Sequence, residues 1–507
     1  MAAIVDQLDR NVIPRWRSFA TTVHLGELTE AATTREFNSP QPDLSNLESD
    51  WRENRSLSFA GDLLSAAIFA EATEVALEAA RFVLEQHDPG AESNPLLRLA
   101  IATVNRSVHS TPVNEVHTYS VEQSRLFIAE HKRALRMAPG NAVLWVDLAL
   151  LYAMRGQPEP ARRSMTIALG LSPENRFVLR SAARFFIHLN EPDRAHQILR
   201  KSRLRKFDPW ISSAEIATAT AANFIPFSID YGLKMANAET FRPSETTELS
   251  AAIATLELRD GNTKKAKKHL KNGLREPNEN SLAQVKWISK DINGFLDDLT
   301  VKQFQVERSF EAKVWESRGK GDWNDAGKHA IDWLRDQPFS SRPAQVACHL
   351  ASALLEDYSA AVKLANFGLV ANPQDHFLYI GLAFAHASNN ELVDAKRALD
   401  NIRGPMVKAI EVASIANHGL IEFRKRNLTG GRALYGEAVR AAVESKDKGL
   451  HAAALTYWAR EEAIAKTELA SVMIENAANA IKAMGTIDSE PSFVLDLVRK
   501  RYEQRNE

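Results

Sequence analysis

AVLWVDLALLYAMRGQPEPARRSMTIALGLSPEN, residues Ala142 to Asn175, decides the fold class of this 507-residue chain. Trp145, Leu148, Ala149 and Tyr152 fall at i, i+3, i+4 and i+7, which puts them on one helical face. Gly156 interrupts that helix and permits a tight reversal. Ala161, Met165 and Ala168 then mark the apolar face of a second helix, and Pro173 ends the unit. The short side chains at Ala149, Ala161 and Ala168 let the two helices approach closely.

The same pattern returns along the chain. Leu179, Ala182, Ala183, Phe186, Ala195 and Leu199 fill the corresponding places in the unit from Arg176. Ala326, Ala361 and Ala395 are 35 and 34 residues apart, and Pro338 and Pro373 each follow such an alanine by twelve residues, as Pro173 follows Ala161. Gly261, Ala266, Leu270, Gly273 and Pro277 repeat the pattern one residue short, and GRALYGEAV at Gly431–Val439 reads as another second helix. A weaker early unit holds Leu63, Leu64 and Ala67 with Ala76, Ala80 and Val83. The segment Ala142–Asn175 resembles a tetratricopeptide repeat, with Ala149 where that family usually has glycine. The resemblance implies an all-α solenoid of roughly ten to twelve stacked helix-turn-helix units.

The expected organisation has an N-terminal helix and connector over 1–56 and a first array over 57–245 with an insertion near 107–120. Degenerate repeats over 246–306 and a more regular array over 307–448 follow, with a C-terminal repeat and capping helices over 449–507. The pattern blurs at 208–245, where Pro226 and Pro243 interrupt helical runs, and again at 289–307.

Composition narrows the function. Lys and Arg total 63 against 64 Asp and Glu, so bulk attraction to nucleic acid or an anionic membrane has no basis, although a local patch does. The most apolar stretch, Val143–Met154, is too short to span a bilayer and contains Asp147. With no targeting segment visible and Cys348 the only cysteine, a cytoplasmic, reducing location is expected.

No nucleotide, zinc-protease or serine-hydrolase signature is present, and neither a cofactor nor a metal site is expected. Cys348 and His349 point about 100° apart on a helix and form no dyad. His109 with His117, and His188 with His196, lack the spacing and acidic partners of a metal site. Glu461/Glu462 and Asp297/Asp298 are adjacent in sequence and cannot share a helical face.

The expected function is therefore a non-enzymatic scaffold or adaptor that binds another protein or peptide. In the family it resembles, first helices line a concave groove, which puts Arg180, Arg184, His188, Phe377 and Phe384 on the inner side. Arg180 and Arg184 could grip an acidic partner or pair with a neighbouring repeat. Val146 and Leu150 stand where some family members carry a carboxylate-clamping Lys and Asn, so a co-chaperone of that kind is not expected. The apolar inner positions could bind a peptide, or be buried by tight curvature. A regulatory or sensor subunit of a separately encoded nuclease or protease is the alternative. A third reading is nucleic-acid or acidic-partner binding at Arg200, Lys201, Arg203, Arg205 and Lys206, with Trp210 close by for stacking. The run Lys264–Lys271 is expected to be a solvated outer face.

Overall fold

The computed structural model describes residues 10–19, 44–69, 72–86, 95–107, 121–238, 240–289, 300–485 and 490–504. They form two compact units, one within 19–117 and the other made of 10–18 with the residues from 121 onward. This division differs from the expected boundaries, because an N-terminal stretch belongs to the larger unit. The expected insertion, with His109 and His117, lies outside the described residues, as do Asp297 and Asp298.

In the smaller unit, α1 (Leu44–Glu53), α2 (Leu57–Phe69), α3 (Thr73–Glu85) and α4 (Pro95–Ser107) pack in sequence order. Leu63, Leu64, Ala67, Ala80 and Val83 are fully buried there, and Trp51 meets Phe82 edge-on at 5.9 Å.

In the larger unit, α5 (Val121–Met137) packs on the first of a series of hairpins: α6 (Ala142–Met154) with α7 (Pro158–Leu171), α8 (Arg176–His188) with α9 (Pro192–Lys201), α10 (Pro209–Ala221) with α11 (Ile229–Asn237), and α12 (Pro243–Arg259) with α13 (Thr263–Gly273). After α14 (Glu279–Ser289) come α15 (Phe310–Gly319) with α16 (Trp323–Asp336), α17 (Ser341–His349) with α18 (Tyr358–Ala371), and α19 (His376–Ser388) with α20 (Leu392–Asp400). The series closes with α21 (Lys408–Arg424) and α22 (Leu428–Glu444), then α23 (Lys448–Ile464), α24 (Ala470–Met484) and α25 (Glu490–Glu503). First helices α6, α8, α10, α12 and α14 touch in consecutive order, as do α17, α19, α21 and α23. The fold is an all-α solenoid, and no strand occurs among the described residues.

Local chemistry repeats with the hairpins. Asn141, Asn175 and Asp208 cap α6, α8 and α10 by accepting hydrogen bonds from backbone N–H groups of the first turn. Gly156, Asn190, Gly261, Gly321 and Asn390 turn the chain with φ between 58° and 79°. Gly156 is also held by tertiary packing, since a Cβ there would meet the Val370 carbonyl oxygen at 2.2 Å. That approach brings α18 against α6, so the solenoid contacts itself as well as its sequence neighbours.

Within the expected N-terminal helix and connector, residues 10–18 have no regular secondary structure: Pro14 supplies no N–H and disfavours helix at Ile13, whose own N–H donates to the Asn11 carbonyl at 2.7 Å, and the flanking side chains bind distant helices. In the blurred zone 208–245, Pro226 lies in the break between α10 and α11 and Pro243 opens α12, so both fall between helices, and Pro209 and Pro243 stand in first turns, where a missing N–H costs nothing.

Candidate interaction face

The segment Arg10–Arg17 lies across the first helices as a strap. Both Arg10 Nε and Nη2 donate to Glu311 at 2.9 Å, and Arg10 also donates to Gln284 and Asn280. Main-chain carbonyls are read too: Gln284 donates to the Arg10 carbonyl at 2.8 Å and Asn280 to that of Ile13 at 3.0 Å. Arg15 donates to Glu311 and Gln337. Arg17 forks onto Asp336 at 2.9 and 2.6 Å and reaches Glu279 at 2.6 Å. Between these charges, Val12 sits in the core with Ile216 and Leu249, and Trp16 meets Phe185 and Phe339 edge-on at 5.6 and 5.1 Å.

Electrostatics at the centre favour the ionised acid. Burial alone would raise the Glu311 carboxyl, but Arg10 and Arg15 outweigh it and hold the group well below the usual carboxylate range. Arg184 feels the opposite balance, lowered to about 10 by burial and by the neighbouring Arg15, Arg10 and Arg342. Several guanidinium groups thus converge on one carboxylate.

Arg180 and Arg184 are both engaged within the chain. Arg180 forks onto Glu248, donates to the Trp210 carbonyl and stacks over that indole at 5.0 Å. Arg184 donates to Ser340 and covers Phe339. Arg180 thus pairs with an acid within the chain, whereas Arg184 bonds a neutral hydroxyl. His188 packs edge-on to Phe339, and burial with the nearby Arg184 lowers it to about 4. Phe384 is buried between Tyr457 and Arg460, whereas Phe377 is half-buried. Cys348 packs beneath Gly381, where an added Cβ would lie 2.8 Å from Sγ, and burial pushes its thiol up to about 12.

The C-terminal end also turns inward. Helix α25 packs on α23, α24 and the π-helical turn Leu350–Leu354 that continues α17. Glu490 binds Arg318 at 2.5 Å and His349 Nε2 at 2.7 Å. Burial would raise the Glu490 carboxyl, yet Arg318 and His349 lower it to about 2. An acid depressed in the folded state stabilises fully above its unfolded value near 4.3, and that stabilisation is lost as pH falls through the folded value. The contribution of Glu490 to α25 docking should therefore be lost as pH falls from about 4.3 towards 2. Hydrogen exchange of α25 amides should accelerate over that window, and Glu490→Gln should lack the transition. An unchanged profile in the variant would assign the titration elsewhere.

The basic run has different neighbours from those expected. Trp210 is taken by Arg180, whereas Arg200 stacks on Phe227 at 3.9 Å, and Arg205 and Lys206 approach Tyr231. Lys264, Lys265, Lys268 and Lys271 on α13 are exposed, as expected of an outer face. Glu461 and Glu462 bind separate arginines, Arg424 and Arg432. His196 pairs with buried Glu215 at 2.9 Å. Among the described residues no group of three or more His, Cys, Asp or Glu is placed to hold a metal, and no helix there is long and apolar enough to cross a membrane.

Sequence reading missed the strap. RNVIPRWRS carries three arginines and a tryptophan in nine residues, which was a visible signal. Its acidic partners at 279, 311 and 336 are too scattered to be recognised as one site.

Stacked hairpins with a rhythm near 34 residues, close-packing alanines and first helices that touch in consecutive order make this an all-α solenoid protein resembling tetratricopeptide repeat arrays. No family model matches the chain, and no curated protein matches it. Solved structures similar to it include yeast Tom70, at 11% identity over 90% of this chain and 97% of that one, with a TM-score of 0.31. A monomeric IFIT1 mutant with Gppp-AAAA matches at 14% identity over 92% and 95%, with a TM-score of 0.33. The P58(IPK) TPR domain matches at 15% identity over 77% and 99%, with a TM-score of 0.18.

Proposed function

We propose that the chain is a non-enzymatic protein-interaction scaffold whose inner face receives an extended segment of a partner. The supporting observation is the strap itself. A non-helical segment is held there through both main-chain carbonyls and side chains, with acids matched to each arginine and an aromatic slot for Trp16. That combination is how a groove recognises a peptide, main-chain contacts giving affinity and side-chain pockets giving specificity. A fitting partner presents a basic, aromatic-bearing extended segment. The same occupancy favours the regulatory alternative, because a partner would engage by displacing an internal ligand.

The test uses the full chain carrying Trp16→Ala and Arg17→Ala, with a dye-labelled synthetic peptide LDRNVIPRWRSF, residues 8–19. The peptide is expected to bind the variant saturably and the unaltered chain far more weakly. A peptide with alanine for tryptophan is expected to bind neither. If the variant keeps its helical circular dichroism and the peptide still fails to bind, the strap is part of the packed core and the receptor reading is lost.

A further inference from the structure

Away from the inner face, the surface around α9, the 3-10 turn Leu204–Lys206 and the loop between α10 and α11 is unusual in two respects. The first is uncompensated charge. Arg200, Lys201, Arg203, Arg205 and Lys206 place five cations in seven residues, and no ion pair engages any of them among the described residues. Nearby acids are committed elsewhere: Asp208 pairs with Arg176 at 2.6 Å, and Glu174 accepts from Ser202 and the Arg203 backbone N–H. Asp230 is exposed beside Tyr231. Arg200, Lys201, Arg203 and Lys206 are exposed, while Arg205 is half-buried and its Nε donates to the Arg200 carbonyl at 3.0 Å, so the run carries hydrogen-bond and ring contacts but no carboxylate partner.

The second is exposed apolar surface held in place. Ile225 is 85% exposed, Phe207 59%, Phe227 47% and Phe224 45%. Single exposed hydrophobics such as Phe207 need no explanation, but three within one four-residue loop, Phe224, Ile225 and Phe227, do. The loop that carries three of them is fixed from beneath by the fully buried Glu215, whose carboxylate accepts from the Phe227 and Ser228 N–H groups at 2.9 Å each. The same carboxylate meets His196, whose ring packs against Phe224 and Phe227. A buried carboxylate organising a loop whose apolar side chains face water is a costly arrangement for a mere connector.

We propose that this basic–apolar ledge docks an acidic peptide segment of a partner protein that carries aliphatic or aromatic anchors. Carboxylates would meet the arginine forks while the anchors cover Ile225 and the phenylalanine edges. The stacking geometry selects this occupant. Arg200 lies over the Phe227 ring, so burying that ring also buries the guanidinium. Bilayer hydrocarbon offers nothing to pair with it, whereas an acidic peptide brings a carboxylate to that depth. Base stacking needs open ring faces, and at Phe227 and Tyr231, the rings beside the basic run, His196, Arg200, Arg205 and Lys206 already lie against them. A short peptide also feels only the local charge, whereas a membrane or long nucleic acid meets the wider surface of a chain whose net charge is −1.

The experiment screens the full chain against a synthetic array of acidic peptides bearing Leu, Ile or Phe at varied spacing, then measures the best binder by fluorescence anisotropy. Arg203→Glu and Ile225→Ser alter exposed side chains with no packing role, and unchanged melting would confirm intact folding. Each is expected to weaken binding about tenfold, and added salt to weaken it further, more for the unaltered chain than for Arg203→Glu. Phosphatidylserine vesicles and a single-stranded dT oligonucleotide serve as the other arms. Absence of any peptide whose binding depends on both positions would overturn the proposal. So would vesicle or oligonucleotide binding that depends on them in place of peptide binding. Strap variants should leave this binding unchanged, which keeps its failure distinguishable from that of the inner-face reading.

Discussion

Glu311→Ala should destabilise the larger unit by about 3–5 kcal/mol, the range expected when one partner of a buried ion pair is removed. Only 4% of the Glu311 side chain and 5% of the Arg10 side chain reach solvent. In its absence Arg10 and Arg15 lose their shared carboxylate while Arg184 and Arg342 remain close by, leaving buried positive charge uncompensated. Glu311→Gln should recover part of the loss through hydrogen bonding, but not the charge. Thermal unfolding monitored by circular dichroism measures the effect, and a midpoint equal to that of the unaltered chain would show that Glu311 does not hold the strap.

Trp16→Ala should cost a similar amount, about 3–5 kcal/mol, because it empties a fully enclosed aromatic slot. Trp16 is 1% exposed, and Phe185 and Phe339, which it meets edge-on, are fully buried. Its effect should be visible locally before global unfolding. Arg15 and Arg17 are trypsin sites, shielded as long as the strap is docked. Limited trypsin digestion under native conditions should therefore cut Trp16→Ala after these residues, sparing the unaltered chain. Equal cutting rates would show that the indole is dispensable for docking. The double variant Trp16→Ala, Glu311→Ala should fall short of the summed single effects, since both act on one strap.

Helical periodicity, close-packing alanines and turn residues are local properties, which is why the repeat architecture was legible along the chain. Ala149, Ala161 and Ala168 are buried where their spacing placed them, and Gly156 makes the turn it was read to make. The recurring Asn or Asp cap before first helices, at Asn141, Asn175 and Asp208, is a further local signal that would have sharpened the register.

What covers the inner face was decided only by tertiary structure. Arg10 and Glu311 are 301 residues apart, and Arg318 and Glu490 lie on helices that periodicity treats as unrelated. Superhelical winding brings them together, and winding sums small rotations at every hairpin junction, none of which a single repeat's sequence encodes. The basic run was equally plain in the chain, but its aromatic neighbours are Phe227 and Tyr231, and Phe227 depends on a loop that Glu215 of α10 holds through the Phe227 and Ser228 N–H groups. Spacing along a helix determines which residues share a face. Which face meets which is set by packing over the whole array.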